Sequence, residues 1–309
     1  MTARLLLLLL ILASPARAEL LDGQRWVMGT RLRIVLDDQG VDRARACMDA
    51  CFAEAERVEA LLSDYDPRTP LSVLNDAGGE WTPIPAELQD YLERGKRDHR
   101  RTDGVFDPTV GTWIRGRRAP VSTPIGMQHV EIEGGRARLP VPLRLDPGGD
   151  GKGVAVDAMV AVMRARGVRN AFVDFGGSSW FALGTPPEGE GWRVILTDAD
   201  RSAVGTVLLR DEALSVSSSL QWVEAEGGEP VARPHLFDPR SGEAVFAPRS
   251  VAVVGPSATD AEVLSTAVAI AGVGPEWLER FPGARVAVFD GTQATSPPDW
   301  IEELSESVR

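Results

Sequence analysis

A glycine-rich segment between an apolar run and a helical pattern constrains this chain more than any other stretch. Residues 145–157 read LDPGGDGKGVAVD; they follow the apolar run 141–145 and overlap a predicted helix over 154–166. Glycine lets the backbone approach a ligand closely and adopt positive φ, and a helix beginning after such a loop offers free N–H groups and a positive dipole end to an anion. Lys152 adds a point charge suited to phosphate. The pattern therefore predicts a strand–loop–helix unit able to hold an anion.

Two well-known phosphate-binding motifs do not fit this loop. A Walker A loop needs a glycine where Asp146 stands, and Ser or Thr where Gly153 follows Lys152. The dinucleotide fingerprint G-x-G-x-x-G is also not matched, because Lys152 and Gly153 break its spacing. A glycine-rich turn without any ligand is equally compatible with the loop taken alone.

The size and charge of the chain limit its number of domains and the kinds of partner it can bind. A chain of 309 residues is long enough for one large or two modest domains. We find no repeat, linker or clear boundary, so a single domain over 19–309 is predicted. The net charge of −12 argues against nucleic acid or an anionic membrane as a partner and favours a cationic cofactor.

The N-terminal residues 1–18 have the pattern of a secretory signal peptide. Arg4 supplies a positive start, residues 5–12 form an apolar core, and 16–18 read Ala-Arg-Ala, a small-x-small cleavage site. We therefore expect a mature protein that begins at Glu19, is exported to the periplasm, and carries no transmembrane segment.

The two cysteines, Cys47 and Cys51, lie on the apolar stripe of a predicted helix over 42–62. Residues four apart on a helix have Cβ atoms roughly 5–6 Å apart, whereas a disulfide needs about 3.5–4.5 Å. Both are predicted to be small core residues without a disulfide bond.

Secondary-structure patterns indicate an α+β fold, because strand patterns cluster rather than alternate strictly with helices. Helices are predicted over 42–62, 86–101, 154–166 and 260–271. Strands are predicted over 24–36 with a break at Met28-Gly29-Thr30, in a hairpin over 130–145, in two strands over 170–183, and over 192–197, 206–209, 214–217, 220–225, 249–254 and 285–289.

Histidine chemistry is sparse in this chain. Its three histidines have no metal-ligand spacing, and no G-x-S-x-G nucleophile motif occurs. His99 lies in a charged helix and is expected to be solvated. His235 lies in the turn PHLFDPRSG, where a turn-capping role and a functional role both remain open.

The last predicted helix carries a sharper signal. Glu262 and Thr266 are four residues apart and share one helical face. A carboxylate and a hydroxyl suit hard cations such as Mg²⁺, with carbonyls, water or phosphate completing the ligands. An exposed glutamate favoured by the helix dipole is the competing interpretation.

Several short motifs occur in one order along nearly the whole mature chain. They are MGT at 28–30, SDY at 63–65, Asn75, GVFDPTVG at 104–111, LDPGGDGKG at 145–153 with Asp157, VDFGG at 173–177, HLFDPRSG at 235–242 and LSTA at 264–267. Their ordered set resembles the ApbE family, the FAD:protein FMN transferases.

The resemblance implies both a fold and a reaction. The fold is the family's α+β fold, ApbE-like and related to the T-fold, with mixed or antiparallel sheets and packed helices. The reaction is Mg²⁺-dependent cleavage of FAD, with transfer of FMN to a Ser or Thr of an exported flavoprotein and release of AMP.

The resemblance also implies a set of site residues. The FAD contacts are Met28, Tyr65, Val105, Phe106, Asp107, Asp146, Lys152 and Leu236; the metal ligands are the Gly149 carbonyl, Glu262 and Thr266; and His235 assists proton transfer from the acceptor hydroxyl.

Two positions depart from the family pattern. The family usually has Asp where this chain has Glu262, and Leu220 stands where an acid often follows the Ser217–Ser219 run. Because Mg²⁺ is strict about geometry, both departures bear on turnover and metal choice. Two alternatives therefore stay open: a periplasmic FAD-binding protein without transfer, and an FAD pyrophosphatase releasing FMN and AMP.

Overall fold

The computed structural model describes residues 20–37, 40–114, 125–198, 202–224, 230–273, 276–289 and 298–303. The predicted signal peptide, residues 1–18, lies outside the described residues.

Within these ranges, strands and helices are numbered separately in chain order. The strands are β1 (Leu21–Val27), β2 (Thr30–Asp37), β3 (Thr82–Pro83), β4 (Glu131–Glu133), β5 (Arg136–Arg138), β6 (Asn170–Phe175), β7 (Ser179–Leu183), β8 (Trp192–Thr197), β9 (Ala203–Leu209), β10 (Glu212–Ser218), β11 (Leu220–Glu224), β12 (Pro230–Pro234), β13 (Ser250–Gly255), β14 (Arg285–Phe289) and β15 (Ile301–Glu302). The helices are α1 (Val41–Leu62), α2 (Pro70–Asn75), α3 (Ala86–Arg101), α4 (Gly111–Ile114), α5 (Gly151–Ala165), α6 (Ala258–Ala271) and α7 (Trp277–Arg280).

A seven-stranded sheet organises the molecule, in the order β1-β2-β6-β7-β10-β13-β14 with antiparallel neighbours throughout. Two of its inner strands, β7 and β13, are buried along their full length. A strand buried on both faces reads as a continuous apolar run, which explains the sequences SWFAL and SVAVVG.

Each face of this sheet carries its own core. Phe181 and Val253 pack in a core that includes apolar side chains of α1, α5 and α6. Their sequence neighbours Trp180 and Val254 point to the other face. They pack with β8 and β9, which form a three-stranded sheet with β15. The structure therefore has three layers, with helices on one face and a small antiparallel sheet on the other.

The predicted α+β class with antiparallel sheets and packed helices is confirmed. Most predicted elements are present, and Cys47 and Cys51 are buried without a disulfide bond. Several boundaries were wrong: β1 begins at Leu21 rather than at 24, and β9 at Ala203 rather than at 206. Helix α5 begins at Gly151 rather than at 154, so part of the predicted loop is the first helical turn. The predicted hairpin over 130–145 is also shorter, since its paired strands β4 and β5 have three residues each.

Among the parts of the chain that the structure describes, no helix combines the length and the apolar character needed to cross a membrane.

Candidate functional site

The loop before α5 is a short 3-10 turn held by Asp146. The Asp146 carboxylate accepts the Gly148 N–H at 2.6 Å, and the Asp146 N–H donates to the Pro108 carbonyl at 2.8 Å. An aspartate at this capping position satisfies a backbone donor that the short turn leaves free. The turn therefore has a defined shape, with Gly148 exposed and Gly149 half-buried at its end.

A buried asparagine fixes the approach to this turn. The Asn75 amide donates to the Leu145 carbonyl at 2.9 Å, and its oxygen accepts the Leu145 N–H at 2.8 Å. These two bonds satisfy the backbone N–H and carbonyl of Leu145, as a neighbouring strand would do in a sheet. Gly111 packs against the same backbone, and a Cβ there would lie 2.7 Å from the Leu145 carbonyl carbon. Only glycine fits at that position without displacing the loop.

Helices α5 and α6 meet closely at their N-terminal ends. A Cβ on Gly153 would lie 2.7 Å from the Ala258 carbonyl oxygen, so glycine allows the two backbones to touch. The Asp157 carboxylate, on α5, accepts the N–H groups of Ala258 and Thr259 at 2.8 and 3.0 Å and the hydroxyl of Ser257 at 2.8 Å. One helix thus caps the other and fixes their relative position.

This junction places Glu262 inside the molecule, where it is 3% exposed. Its Oε2 accepts the Gly153 N–H at 2.6 Å, and its Oε1 lies 3.0 Å from Lys152 Nζ and accepts the Ser179 hydroxyl. The competing interpretation of an exposed glutamate in the first helical turn is therefore wrong. The carboxylate sits at the N-terminus of α5, where the helix dipole favours negative charge.

One turn further along α6, Thr266 faces the glycine-rich turn. Its Oγ1 lies 3.5 Å from the Gly149 carbonyl oxygen. The structure therefore brings Gly149 and Thr266 together and places Glu262 one helical turn away. A carbonyl, a hydroxyl and a carboxylate form an oxygen donor set that fits a hard cation. The described residues contain no cluster of three or more His, Cys, Asp or Glu side chains suited to a metal.

The chain matches a known protein family over most of its length. The sequence profile of the ApbE family matches residues 28–289. The chain belongs to the ApbE family.

Curated relatives of this ApbE-family chain share about a quarter of its sequence. It is 26% identical over 242 residues to the FAD:protein FMN transferase of Chlamydia pneumoniae, covering 71% of this chain and 73% of that protein. It is 28% identical over 273 residues to the FAD:protein FMN transferase of Rhodobacter capsulatus, covering 80% of this chain. The match spans only 50% of that second relative's length.

Solved structures show that the fold is shared. An ApbE protein from Thermotoga maritima superposes with a TM-score of 0.77 at 24% identity, covering 94% of this chain and 98% of that one. The flavinyl transferase ApbE of Pseudomonas stutzeri gives a TM-score of 0.70 at 23% identity, covering 84% and 86% of the two chains.

A second buried carboxylate of this ApbE-family protein lies beside the turn. Asp150 precedes α5 and accepts a hydrogen bond from the Tyr91 hydroxyl at 2.9 Å. Burial raises the pKa of the Asp150 carboxyl to about 8, and the negative charge of Glu262 adds to this effect. The sequence analysis did not select Asp150, because an aspartate within a glycine-rich turn is usually exposed.

The 105–107 segment lies under the turn rather than beside it. Val105 and Phe106 are buried in the core, and a Cβ on Gly149 would approach the Phe106 ring to 3.0 Å. The Asp107 carboxylate accepts the Thr109 N–H at 2.9 Å and lies 3.0 Å from His99 Nδ1. The expectation that His99 is solvated was wrong, since its ring is mostly buried against Asp107.

Met28 and Tyr65 come from loops on either side of α1. Met28 adopts a positive φ of 50°, its N–H donates to Glu59 Oε1 at 2.8 Å, and its Cε would lie 3.2 Å from a Cβ on Gly151. It therefore contacts the first turn of α5. Tyr65 is 77% exposed, so its ring is available to a ligand.

His235 and Leu236 directly follow β12. The His235 N–H donates to the Ser219 carbonyl at 3.4 Å, and Leu236 accepts the Val245 N–H at 2.9 Å. Strand β10, which ends just before Ser219, carries Ser217, whose hydroxyl lies 3.5 Å from Thr266 Oγ1. His235 is exposed and Leu236 is half-buried.

Sequence reasoning missed Ser179 at this site. Ser179 is 1% exposed at the start of β7 and contacts Glu262 only because β7 lies beneath α6. No local pattern marks it, because its neighbours form an apolar strand.

Proposed function

We propose that this ApbE-family protein is an exported, Mg²⁺-dependent FAD:protein FMN transferase. The carrying observation is that Thr266 Oγ1 lies 3.5 Å from the Gly149 carbonyl oxygen, while Glu262, one turn earlier on the same helix, lies 3.0 Å from Lys152 at the start of α5. The names of the curated relatives support the choice of FAD as substrate and of a protein as acceptor.

The pyrophosphate of FAD binds at the glycine-rich turn in this proposal. The N-terminus of α5 offers the positive end of the helix dipole to an anion. Lys152 contributes a mobile positive charge from the same turn. Met28 and Tyr65 flank the flavin or adenine rings, while Phe106 supports Gly149 from below.

The oxygen donors fit a divalent cation at the same place. Gly149, Glu262 and Thr266 would hold it, and Mg²⁺ favours such ligands together with phosphate oxygens. When bound, the ion neutralises negative charge that develops on the phosphate oxygens during transfer.

The reaction exchanges a phosphoanhydride bond of FAD for a phosphoester bond to the acceptor. A Ser or Thr hydroxyl of the acceptor forms a bond to the FMN phosphorus, while the bond from that phosphorus to the bridging oxygen breaks. AMP leaves with the bridging oxygen, and the hydroxyl proton passes to His235 and then to solvent. Lys152 orients the phosphate so that the attacking and leaving oxygens lie in line.

Incubation with FAD and Mg²⁺ tests the proposal and separates its alternatives. With a candidate exported flavoprotein present, we expect AMP and a fluorescent, flavin-labelled acceptor; the acceptor with its target Ser or Thr changed to Ala is the matched control. AMP with free FMN indicates a pyrophosphatase instead. Intact, bound FAD indicates a binding protein without transfer.

Export is a separate part of the proposal, supported by the pattern of residues 1–18. We expect protein expressed with its full N-terminus to be recovered from the periplasm with a mass corresponding to a start at Glu19. An uncleaved chain retained in the cytoplasm would contradict this part alone.

A further inference from the structure

Ser179 stands out as a polar residue in an otherwise apolar buried strand. It follows the Gly176-Gly177 turn, is 1% exposed, and precedes Trp180 and Phe181, which pack into opposite cores. Its hydroxyl donates to Glu262 Oε1. A buried hydroxyl without a partner is costly, and alanine would suit the strand equally well. The contribution of the hydroxyl is therefore its hydrogen bond to the Glu262 carboxylate, and the strand itself does not require it.

The Glu262 carboxylate has three donors of different kinds. The Gly153 N–H is a rigid backbone donor on Oε2, while Lys152 Nζ and the Ser179 hydroxyl share Oε1. Lys152 has a long, flexible side chain that is also suited to phosphate. A lysine drawn toward a phosphate would leave Oε1 with Ser179 as its remaining partner in this set.

We propose that Ser179 is a positioning residue that fixes the carboxylate of Glu262 for cation binding, an inference that rests on the proposed function. Glutamate has one more rotatable bond than aspartate, so its carboxylate needs an additional contact to hold one orientation. Groups that hydrogen-bond a metal-binding carboxylate orient it, and their loss typically weakens metal binding by about 10–100-fold. Ser179 supplies that contact from the sheet beneath α6.

Mn²⁺ binding to the purified protein, followed by calorimetry, tests this role without requiring turnover. We expect Ser179→Ala to weaken Mn²⁺ binding by roughly tenfold. The matched control is Ser250→Ala, since Ser250 is equally buried in the same sheet and donates to the Thr197 carbonyl at 3.2 Å. We expect both variants to lose similar thermal stability, but the control to keep wild-type Mn²⁺ affinity.

Two further variants sharpen the test. Ser179→Cys keeps the side-chain volume with a weaker donor, so we expect an intermediate Mn²⁺ affinity. In a Glu262→Asp background the shorter carboxylate no longer reaches β7, and we expect Ser179→Ala to cause no additional loss there.

The outcomes separate this inference from the proposed function. Wild-type protein that binds no Mn²⁺ overturns the proposed function, and this inference with it. If Ser179→Ala binds Mn²⁺ as tightly as the wild type, the positioning role alone is overturned. The same holds if Ser250→Ala loses as much Mn²⁺ affinity as Ser179→Ala.

Discussion

At the residue scale, the site depends on Glu262, a buried carboxylate whose charge is balanced by its neighbours. It lies against Lys152 and the N-terminus of α5, so its negative charge is stabilised before any ligand binds. Its role in cation binding can therefore be tested with a variant that removes the charge and keeps the shape.

We expect Glu262→Gln to lower the rate of AMP release by at least about 100-fold, because the lost charge removes several kcal/mol of cation-dependent stabilisation. FAD binding, measured by flavin fluorescence, should change little, since Lys152 and the helix N-terminus remain. Glu133→Gln, at an exposed position in β4, is the control and should behave as wild type. Unchanged AMP release in Glu262→Gln would remove this residue from the cation site.

Asp150 makes the free energy of unfolding depend on pH. Its pKa is about 8 in the folded protein against an ordinary value of 3.8. Between these values the unfolded chain loses the proton while the folded protein keeps it, so the free energy of unfolding falls as pH rises. Below pH 3.8 both states are protonated, and above about 8 both are ionised.

We therefore expect Asp150→Asn to remove part of this pH dependence. Without added metal, wild-type protein should lose up to roughly 3 kcal/mol more stability than the variant between about pH 5 and 7, at about 1.4 kcal/mol per pH unit. Urea unfolding at both pH values measures this, with the exposed Asp90→Asn as control. Parallel pH profiles for wild type and Asp150→Asn would show that Asp150 is ionised in the fold.

Single-residue predictions from the sequence succeeded where spacing alone decides geometry. The four-residue interval of Glu262 and Thr266 predicted one helical face, and both residues do lie within α6. Burial of Glu262 and its contact with Ser179, 83 residues away, could not be predicted, because both depend on how α6 crosses β7. His99 was misjudged for a local reason: positive φ at Asp103 and Gly104 turns the chain back, and Asp107 then lies against its ring.

At the scale of elements, the α5–α6 junction holds the site together. Asp157 caps α6 from α5, and Gly153 lets the helices touch. Glu262 and Thr266 on α6 are therefore held in a fixed position relative to the glycine-rich turn before α5.

We expect Asp157→Ala to lower the free energy of unfolding by about 2–4 kcal/mol, because the N–H groups of Ala258 and Thr259 at the start of α6 lose their charged acceptor. Urea denaturation measures the change. Asp42→Ala, an exposed acid in the first turn of α1, should stay within about 0.5 kcal/mol of wild type. Equal effects of the two substitutions would mean that the Asp157 cap contributes little.

Sequence patterns predicted element types better than element starts. The helix over 86–101 and the strand over 285–289 were predicted with the observed bounds. The start of α5 was placed too late, because glycine was read as loop although Gly151 and Gly153 lie in the helix for packing reasons. The short helix α2, which begins after Thr69, was missed within a turn-like stretch.

At the scale of the whole molecule, the central sheet separates two cores. Substitutions in the two cores are expected to affect the candidate site differently. Leu264 of α6 belongs to the core under the helices, whereas Leu209 of β9 belongs to the core under the small sheet. Only the first core lies next to the glycine-rich turn.

We expect Leu209→Ala and Leu264→Ala each to destabilise the protein by about 2–5 kcal/mol, because both side chains are fully buried. Only Leu264→Ala should also raise the KM for FAD, since it lets α6 shift. Urea unfolding and steady-state kinetics together distinguish the two. A raised KM in Leu209→Ala would show that the outer core also shapes the site.

The class of the fold was predictable from clustered strands, but the layers were not. The apolar run of β7 indicated burial, yet nothing local in β8 and β9 specified that they leave the central sheet. The separate sheet is instead determined by long-range packing, since Trp180 of the central sheet and Leu209 of β9 belong to one core.

The pairing of Asn75 with Leu145 has a consequence for hydrogen–deuterium exchange. Leu145 belongs to none of the strands described above, yet its amide is buried and bonded to a side chain from α2. Its proton should therefore exchange with solvent as slowly as those of the central sheet. Faster labelling at this one amide would report the opening of the glycine-rich turn before the rest of the fold loosens.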